Sequence, residues 1–432
     1  MALKRPRGTN DFLGDKVKLM TKLEETVRDV CKSFGINEIR TPMFEYTELF
    51  QRGVGETTDI VQKEMFTFED RGGRSLTLKP EGTAGAARAF IENGLYSEAQ
   101  PTKLFYVTPC FRNERPQAGR YKQFHQFGVE MYGTYDASAD AEVISLVYEI
   151  FQRLGLKNVR LKINSLGSNE CRKKYNKVLK DYIGDRLEHL CDDCKSRFEK
   201  NPLRVLDCKN KNCKEVLADA PAVLDILDEE CAAHFEKLKA SLEAMGIPYE
   251  VDKGIVRGLD YYTRTVFEFV SDEIGAQGTI CGGGRYDNLV EECGGSPMGA
   301  VGFAMGLERI MLVLEAQGLN EVDSNNPLIY IGSIGEKGAL KAQEIGYDLR
   351  KAGIHAEYDT VGRSVKAQMK YADKIGAIYN VVLGDDEIAN DKVRLKNMLN
   401  GEQREITLSA IEDELKNLSL IHISEPTRLR CI

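Results

Sequence analysis

The period of the hydrophobic pattern changes along the chain, and these changes constrain the fold more tightly than any single motif. Up to about Gly167, amphipathic helical stretches are mixed with β-branched runs. From Ser168 to about Gly246 the chain is dense in Lys, Glu and Cys, with apolar residues at helical spacing (Val178, Leu179, Tyr182; Val223, Leu224, Leu227). Strand-like alternation returns at Val266 to Val270, passes the glycines at 282–284 and ends in an apolar helix, Gly299 to Ala316. A helical block between two stretches of mixed pattern reads as an insertion within one domain, spanning 1–325 with the insertion at about 168–250. Polar Glu321 to Pro327 reads as a linker. After it, an apolar run (Leu328 to Ile331), a helix (Ala339 to Lys351), a strand (Ala356 to Tyr358), a second helix (Val365 to Ile375) and another apolar run (Tyr379 to Leu383) alternate as in a small α/β domain at 327–420. Asn400-Gly401 marks a hairpin there, and Ala410 to Leu418 suits a closing helix. Residues 421–432 continue no periodicity, resemble translated cloning-vector sequence and are set aside as a non-native tail.

A chain of 432 residues exceeds what one core usually serves, in keeping with this division. The basic start, Met1 to Gly8, runs into Thr9, Asn10 and Asp11 rather than an apolar stretch, so it does not read as a secretory signal. The longest uncharged apolar stretch, between Glu292 and Glu308, is studded with glycine and too short for a bilayer span. Eleven cysteines, an odd number scattered over the chain, fit reduced thiols, so a cytoplasmic protein without membrane residence is expected. The net charge of -8 repels a polyanion at long range, and any nucleic-acid binding must use local Lys/Arg surfaces.

The densest unusual segment runs from Phe111 to Glu130, flanked by runs that could pair as antiparallel strands. Arg112, Arg115 and Arg120 fall within ten positions, and Pro116 to Gly119 offers a turn. Guanidinium groups grip phosphate bidentately, so this hairpin places cations where a nucleotide could sit; a solvated hairpin with ordinary surface arginines is the alternative.

Phe111-Arg112-Asn113-Glu114, together with the residues from Arg115 to Glu130, resembles motif 2 of class II aminoacyl-tRNA synthetases. Gly302-Phe303-Ala304-Met305-Gly306-Leu307-Glu308-Arg309 resembles motif 3, and Glu38-Ile39-Arg40-Thr41-Pro42 with Phe44-Glu45 is similar to the proline-bearing end of motif 1. Within that class, the segments Arg257 to Glu268 and Gly282-Gly283-Gly284-Arg285-Tyr286-Asp287 resemble signatures of histidyl-tRNA synthetases, and the similarity runs from roughly Arg7 to Leu420. The resemblance implies an α+β architecture: a catalytic domain on an antiparallel sheet carrying the helical insertion, then a C-terminal α/β anticodon-binding domain. It implies ATP-dependent ligation of L-histidine to tRNA(His) through a histidyl-adenylate, with Mg2+ accompanying ATP, by a homodimer whose motif 1 packs across a two-fold axis.

Adenylate formation needs no general base, because a free amino acid's carboxylate is already ionised near neutral pH and can attack the α-phosphate directly. Fixed cations that meet the charge building at phosphorus are what such a site must supply. The resemblance assigns Arg112 and Arg257 to the α-phosphate and histidine carboxylate, and Arg309 to the γ-phosphate. It assigns Glu114 to the adenine or metal side and Phe124 to stacking on the purine. For histidine it implies Glu81, Thr83 and Gln126 around the α-amino group, and Glu130 with Tyr262 on the imidazole, with Tyr261 lining the pocket. A site that hydrogen-bonds both ring nitrogens rejects analogues lacking them. Arg115, Gln117 and Arg120 would meet the acceptor end of the tRNA, and Arg363, Lys366 and Lys370 the anticodon, a solvated basic face being the alternative for these last three.

No Lys-Ser/Thr follows Gly282-Gly283-Gly284, which excludes a Walker loop; close approach of backbone to the histidine ligand and a strand bend both stay open. Cys191, Cys194, Cys208 and Cys213 form Cys-x2-Cys and Cys-x4-Cys pairs near the spacing of a tetrahedral thiolate zinc site, with passive reduced thiols as the alternative. His125, His189, His234 and His355 lack metal-ligand spacing and receive no role. Two rivals remain: a non-enzymatic, histidine-binding paralogue that regulates histidine biosynthesis, and a ligase for threonine, proline or glycine.

Overall fold

A computed structural model describes residues 3–424 apart from 56–57, 201, 207, 209, 256 and 275–277; most of the segment read above as a tail, residues 425–432, lies outside the described residues. The chain divides into two compact units, with the boundary between Val322 and Asp323.

The first unit contains strands β1 (Asn37–Glu38), β2 (Phe44–Tyr46), β3 (Phe66–Glu69), β4 (Ser75–Leu78), β5 (Thr102–Phe111), β6 (Gln123–Tyr132), β7 (Val159–Ser165), β8 (Glu250–Val251), β9 (Thr263–Ser271), β10 (Thr279–Arg285) and β11 (Ala300–Gly306). Its helices are α1 (Asp15–Ser33), α2 (Thr47–Val54), α3 (Thr83–Glu92), α4 (Ala137–Arg153), α5 (Asn169–Gly184), α6 (Asp192–Lys200), α7 (Lys211–Val216), α8 (Glu229–Ala244), α9 (Leu289–Glu292) and α10 (Leu307–Ala316). The main sheet has the order β1-β5-β6-β11-β10-β9-β7-β8. Its six inner strands are mutually antiparallel, and the two-residue edge strands β1 and β8 pair in parallel. A small antiparallel sheet, β2-β4-β3, stands beside it.

Alternation along the strands decides what each face carries. On β6, Phe127, Val129 and Met131 join the main core, which α1, α4, α8 and α10 complete. Phe124, Gln126, Gly128 and Glu130 have the opposite parity along the strand and therefore lie on the other face. The same parity places Tyr106 and Thr108 of β5 opposite Gly128 and Gln126 on that second face.

The helical block of the sequence divides in two. Helices α5 to α7 enclose a small core of their own, with Tyr175, Leu179, Ile183 and Leu190, whereas Phe235, Leu238 and Leu242 of α8 join the main core. Val223, Leu224 and Leu227 read as helical in the sequence, but only a 3-10 turn forms at Val223–Ile226. Pro221 on one side and Asp228, the N-cap of α8, on the other leave room for one turn.

The second unit contains β12 (Ile329–Ser333), β13 (Ala356–Tyr358), β14 (Tyr379–Leu383), β15 (Lys392–Asn397) and β16 (Gln403–Thr407), in the order β13-β12-β14-β15-β16. Strand β12 is parallel to both neighbours, as crossover helices α11 (Gly335–Lys351) and α12 (Val365–Lys374) require; β15 and β16 form the hairpin closed by Asn400-Gly401. After the short α13 (Asp385–Asn390) comes α14 (Ile411–Ser424), which extends four residues past Leu420.

Candidate active site

A cavity of about 210 Å³ is walled by Glu81, Thr83, Arg112, Glu114, Arg120, Phe124, Gln126, Arg257, Tyr261, Tyr262 and Arg309, gathered from segments far apart in the chain. Glu130 lies one layer beneath: its carboxylate accepts from Thr83 Oγ1 at 2.8 Å, Tyr106 OH at 2.9 Å and the hydroxyl of Tyr286. Glu81 precedes α3 and accepts from the backbone amides of Thr83 and Ala84, both at 2.8 Å, so its carboxylate occupies the electropositive start of that helix. Gln126 Oε1 accepts from the Gly82 amide at 3.1 Å. Burial pushes the carboxyls of Glu81 and Glu130 above the usual carboxylate range in spite of these donors, and the mutual repulsion of the two raises Glu130 further.

Glycines clear the space this network needs. A Cβ at either Gly82 or Gly128 would overlap the Tyr106 ring, and one at Gly302 would overlap both the Glu130 carboxylate and the Tyr286 hydroxyl. Gly302→Ala is therefore expected to shift Glu130 and lower kcat/KM for the amino acid that the resemblance implies by about 100-fold, an effect of displacing the pocket by a fraction of an ångström to an ångström. Steady-state pyrophosphate exchange at varied amino-acid concentration checks this, and an unchanged KM and kcat would mean that Glu130 does not shape the pocket. Gly282 makes room for Arg257, whose guanidinium a Cβ there would strike. Close approach thus holds at Gly282, toward a side chain of the protein itself, while the bend holds at Gly284, where φ is 157° and the pairing with β9 slips.

The cations are held by different means. Arg112 donates through Nε to the Pro80 carbonyl at 2.9 Å and lies 5.4 Å from the Phe124 ring centroid. Arg257 pairs with Glu268 of β9 and sits 5.4 Å from the Tyr262 ring centroid. Burial works against the Arg257 charge, but Tyr262 and Glu268 outweigh it and the pKa is raised. Arg309 is depressed, first by burial and then by the charge of Arg120. Two like charges beside one another in an enclosed site favour a polyanion between them.

Of the residues assigned to the acceptor end, Arg120 lines the cavity and pairs with Glu114 at 2.8 Å. Gln117 lines an adjacent hollow with Gly119 and Arg309, and Arg115 is exposed nearby on the same hairpin. In the second unit, Arg363 pairs with Asp359 at 2.7 Å and stacks 4.1 Å from the Tyr371 centroid, whereas Lys366 and Lys370, one helical turn apart on α12, are exposed. The four cysteines of the insertion gather in its own small core.

Several contributors received no role from the sequence. Tyr106, Tyr286 and Glu268 hold Glu130 and Arg257 in place, and strand parity with β6 was the signal available for Tyr106. Glu308 accepts from the His125 backbone amide at 2.9 Å and from its Nδ1 at 2.8 Å, tying the start of α10, and so Arg309, to β6; this hydrogen bond raises the His125 pKa. Arg285 of the Gly-Gly-Gly-Arg-Tyr-Asp segment is buried away from solvent, bonded to Asp140, Asp287 and the Thr134 and Asp136 carbonyls.

Residues 8–310 match the family model described as histidyl-tRNA synthetase, and residues 329–418 match the anticodon binding domain. The histidine–tRNA ligase of Acetivibrio thermocellus is 56% identical over 416 residues, 96% of this chain and 100% of that protein. That of Clostridium perfringens is 54% identical over 413 residues, 95% and 99% of the two chains. The crystal structure of apo S. aureus histidyl-tRNA synthetase superposes with a TM-score of 0.83 at 40% identity, covering 96% of this chain and 100% of that one. Among the described residues no helix is long and apolar enough to cross a membrane. Similarity of this extent, over both units and through every segment that walls the cavity, means that the chain belongs to the histidyl-tRNA synthetase family.

Proposed function

We infer that the protein joins L-histidine to tRNA(His) in two steps, through a histidyl-adenylate, as part of protein biosynthesis in the cytoplasm. The observation that carries this reading is the convergence of Arg112, Arg257 and Arg309 on one cavity whose remaining wall includes Glu81, Thr83, Gln126 and Tyr262 above a buried Glu130. Arg112 and Arg257 bracket the α-phosphate and the histidine carboxylate, neutralising the repulsion between two anions that must approach each other. Arg309 with its neighbour Arg120 receives the outer phosphates, and Phe124 stacks on adenine. Glu114 is a carboxylate on the same wall, the ligand type Mg2+ takes, and it would hold a magnesium that screens phosphate charge.

Glu81, Thr83 and Gln126 accept from the histidine ammonium. Glu130 and Tyr262 receive the imidazole. Since burial raises the carboxyls of Glu81 and Glu130 above the usual carboxylate range, histidine binding is coupled to proton release and strengthens as pH rises through their folded-state pKa values.

Arg115 and Gln117, exposed beside the cavity mouth, contact the acceptor end, and the second unit takes the anticodon, with the exposed Lys366 and Lys370 of α12 among its cations. A homodimer is supported by the exposed apolar side chains of Met43, Phe44, Tyr46 and Phe68 on and beside the small sheet that follows motif 1.

Pyrophosphate exchange with the purified protein tests the reading. Exchange that requires histidine, and that threonine, proline and glycine do not support, is the expected result. Histidine binding without exchange would instead identify a regulatory paralogue, and exchange with another amino acid would overturn the substrate.

A further inference from the structure

The core enclosed by α5 to α7 is small, and four of its members are cysteines where a larger domain would place bulky apolar side chains. Cys191 and Cys194 flank the start of α6, Cys208 follows the 3-10 turn Pro202–Val205, and Cys213 lies in α7. All four are free thiols, and their sulfurs lie within 4.8 Å of one another. Thiolates about 2.3 Å from a shared tetrahedral centre stand about 3.8 Å apart. The Cys191 and Cys208 sulfurs are separated by 3.8 Å. A polynuclear iron–sulfur cluster would spread its cysteines further, because several irons and sulfides lie between them.

Backbone amides already face the sulfurs. The Cys191 amide donates to Cys213 Sγ at 3.3 Å, and the Cys194 amide donates to Cys191 Sγ. Donors of this kind orient thiolate ligands and spread their charge.

A second cluster, Cys171, Asp228 and Cys231, is equally tight but has another explanation. Asp228 caps α8 by accepting from the Cys231 amide at 2.8 Å, and it also accepts from Cys171 Sγ at 3.0 Å and Ser168 Oγ at 3.1 Å. The Cys171 thiol is serving as a donor, and the cluster offers three ligands where a closed zinc site takes four.

We propose that Cys191, Cys194, Cys208 and Cys213 bind one structural Zn2+ that completes the core of the helical insertion. The ion is held by four protein sulfurs with no open position, so it supports the fold and takes no part in ligation. Its binding releases the thiol protons to solvent and adds to the stability of the insertion. It also fixes α6, whose Arg197 reaches Asp59 at 3.4 Å, next to the π-helical turn Ile60–Glu64; the Glu64 carbonyl in turn accepts from the Asn113 amide at 2.7 Å in the motif 2 hairpin.

Metal analysis of the full-length protein, purified without chelators, should find about one Zn2+ per chain. Cys194→Ser and Cys208→Ser should each lower that content about tenfold or more, and Cys171→Ser should leave it unchanged. Replacing Zn2+ with Co2+ in the unaltered protein should produce the intense visible absorption of a tetrahedral tetrathiolate, a result that does not depend on any variant folding. The proposal is overturned if the native protein, supplemented with Zn2+ and freed of excess, holds no stoichiometric metal while these thiols react at once with a disulfide reagent. It is equally overturned if zinc content survives both serine substitutions.

Discussion

Replacing Arg257 with alanine is expected to lower histidine-dependent pyrophosphate exchange by about 1,000-fold while the protein stays folded and keeps its oligomeric state. The guanidinium is enclosed beside Tyr262 and Glu268, where water cannot screen it, and its charge is favoured there over the neutral form. Among the described residues its Nε, buried, has no hydrogen-bond partner, which leaves a donor for an anion in the cavity. The substitution does not strand Glu268, because Thr279 Oγ1 still donates to Glu268 Oε2 at 2.8 Å. The loss therefore falls on the reaction and not on the fold. Arg257→Lys keeps the charge but not the two-pronged geometry and should fall between alanine and the unaltered protein. Exchange rates, with light scattering and thermal unfolding on the same samples, check this; exchange at the unaltered rate would remove Arg257 from the phosphate site.

Arg285→Met is expected to destabilise the first unit by about 3–5 kcal/mol, the cost of leaving a buried charge without its partner. Arg285 and Asp140 are both 0% exposed, and Asp140 also bonds His234 Nε2 at 2.7 Å. Burial alone would raise the Asp140 pKa, but Arg285 and His234 more than offset it, and the net shift is downward. A depressed carboxylate contributes stability at and above its unfolded pKa, and that contribution is lost as pH falls through the folded value. In the variant Asp140 takes up its proton at higher pH, so acid unfolding should begin at higher pH as well as at lower denaturant. Urea unfolding across a pH series measures both, and a midpoint unmoved at neutral pH would show that the pair contributes nothing net to stability.

Much of the architecture was legible along the chain because its signals are local. Asn400-Gly401 closes the β15–β16 hairpin and Pro116 to Gly119 lies at the tip joining β5 to β6. The run from Gly299 to Ala316, expected as one apolar helix, is instead strand β11 as far as Gly306 and helix α10 only from Leu307, because its glycine-rich first half pairs with β6 and β10. The helix expected around Val223 fails for a local reason: apolar spacing alone does not reveal that the stretch is too short between Pro221 and Asp228 to propagate a helix. The site was less legible. Its arginines and the polar residues of the pocket, Glu130 included, could be named by resemblance, but the side chains that hold them in place could not. Glu130 depends on Tyr106 and Tyr286, residues 24 and 156 positions away in sequence, and on glycines that matter only because a ring or carboxylate crosses above them.

The amino-acid sequence by itself determined the periodic elements, the turns, the helical insertion and the chemical types available to the site, since propensity, alternation and turn geometry act over a few neighbouring residues. Only the tertiary structure decided which of those side chains meet. The order of strands in the sheet sets Gly302 against Glu130 and Gly282 against Glu268, and sheet parity sends the even-numbered residues of β6 toward the cavity. The physical reason is that contacts between distant segments, and the burial that shifts the carboxyls of Glu81 and Glu130, exist only once the whole sheet has closed around them.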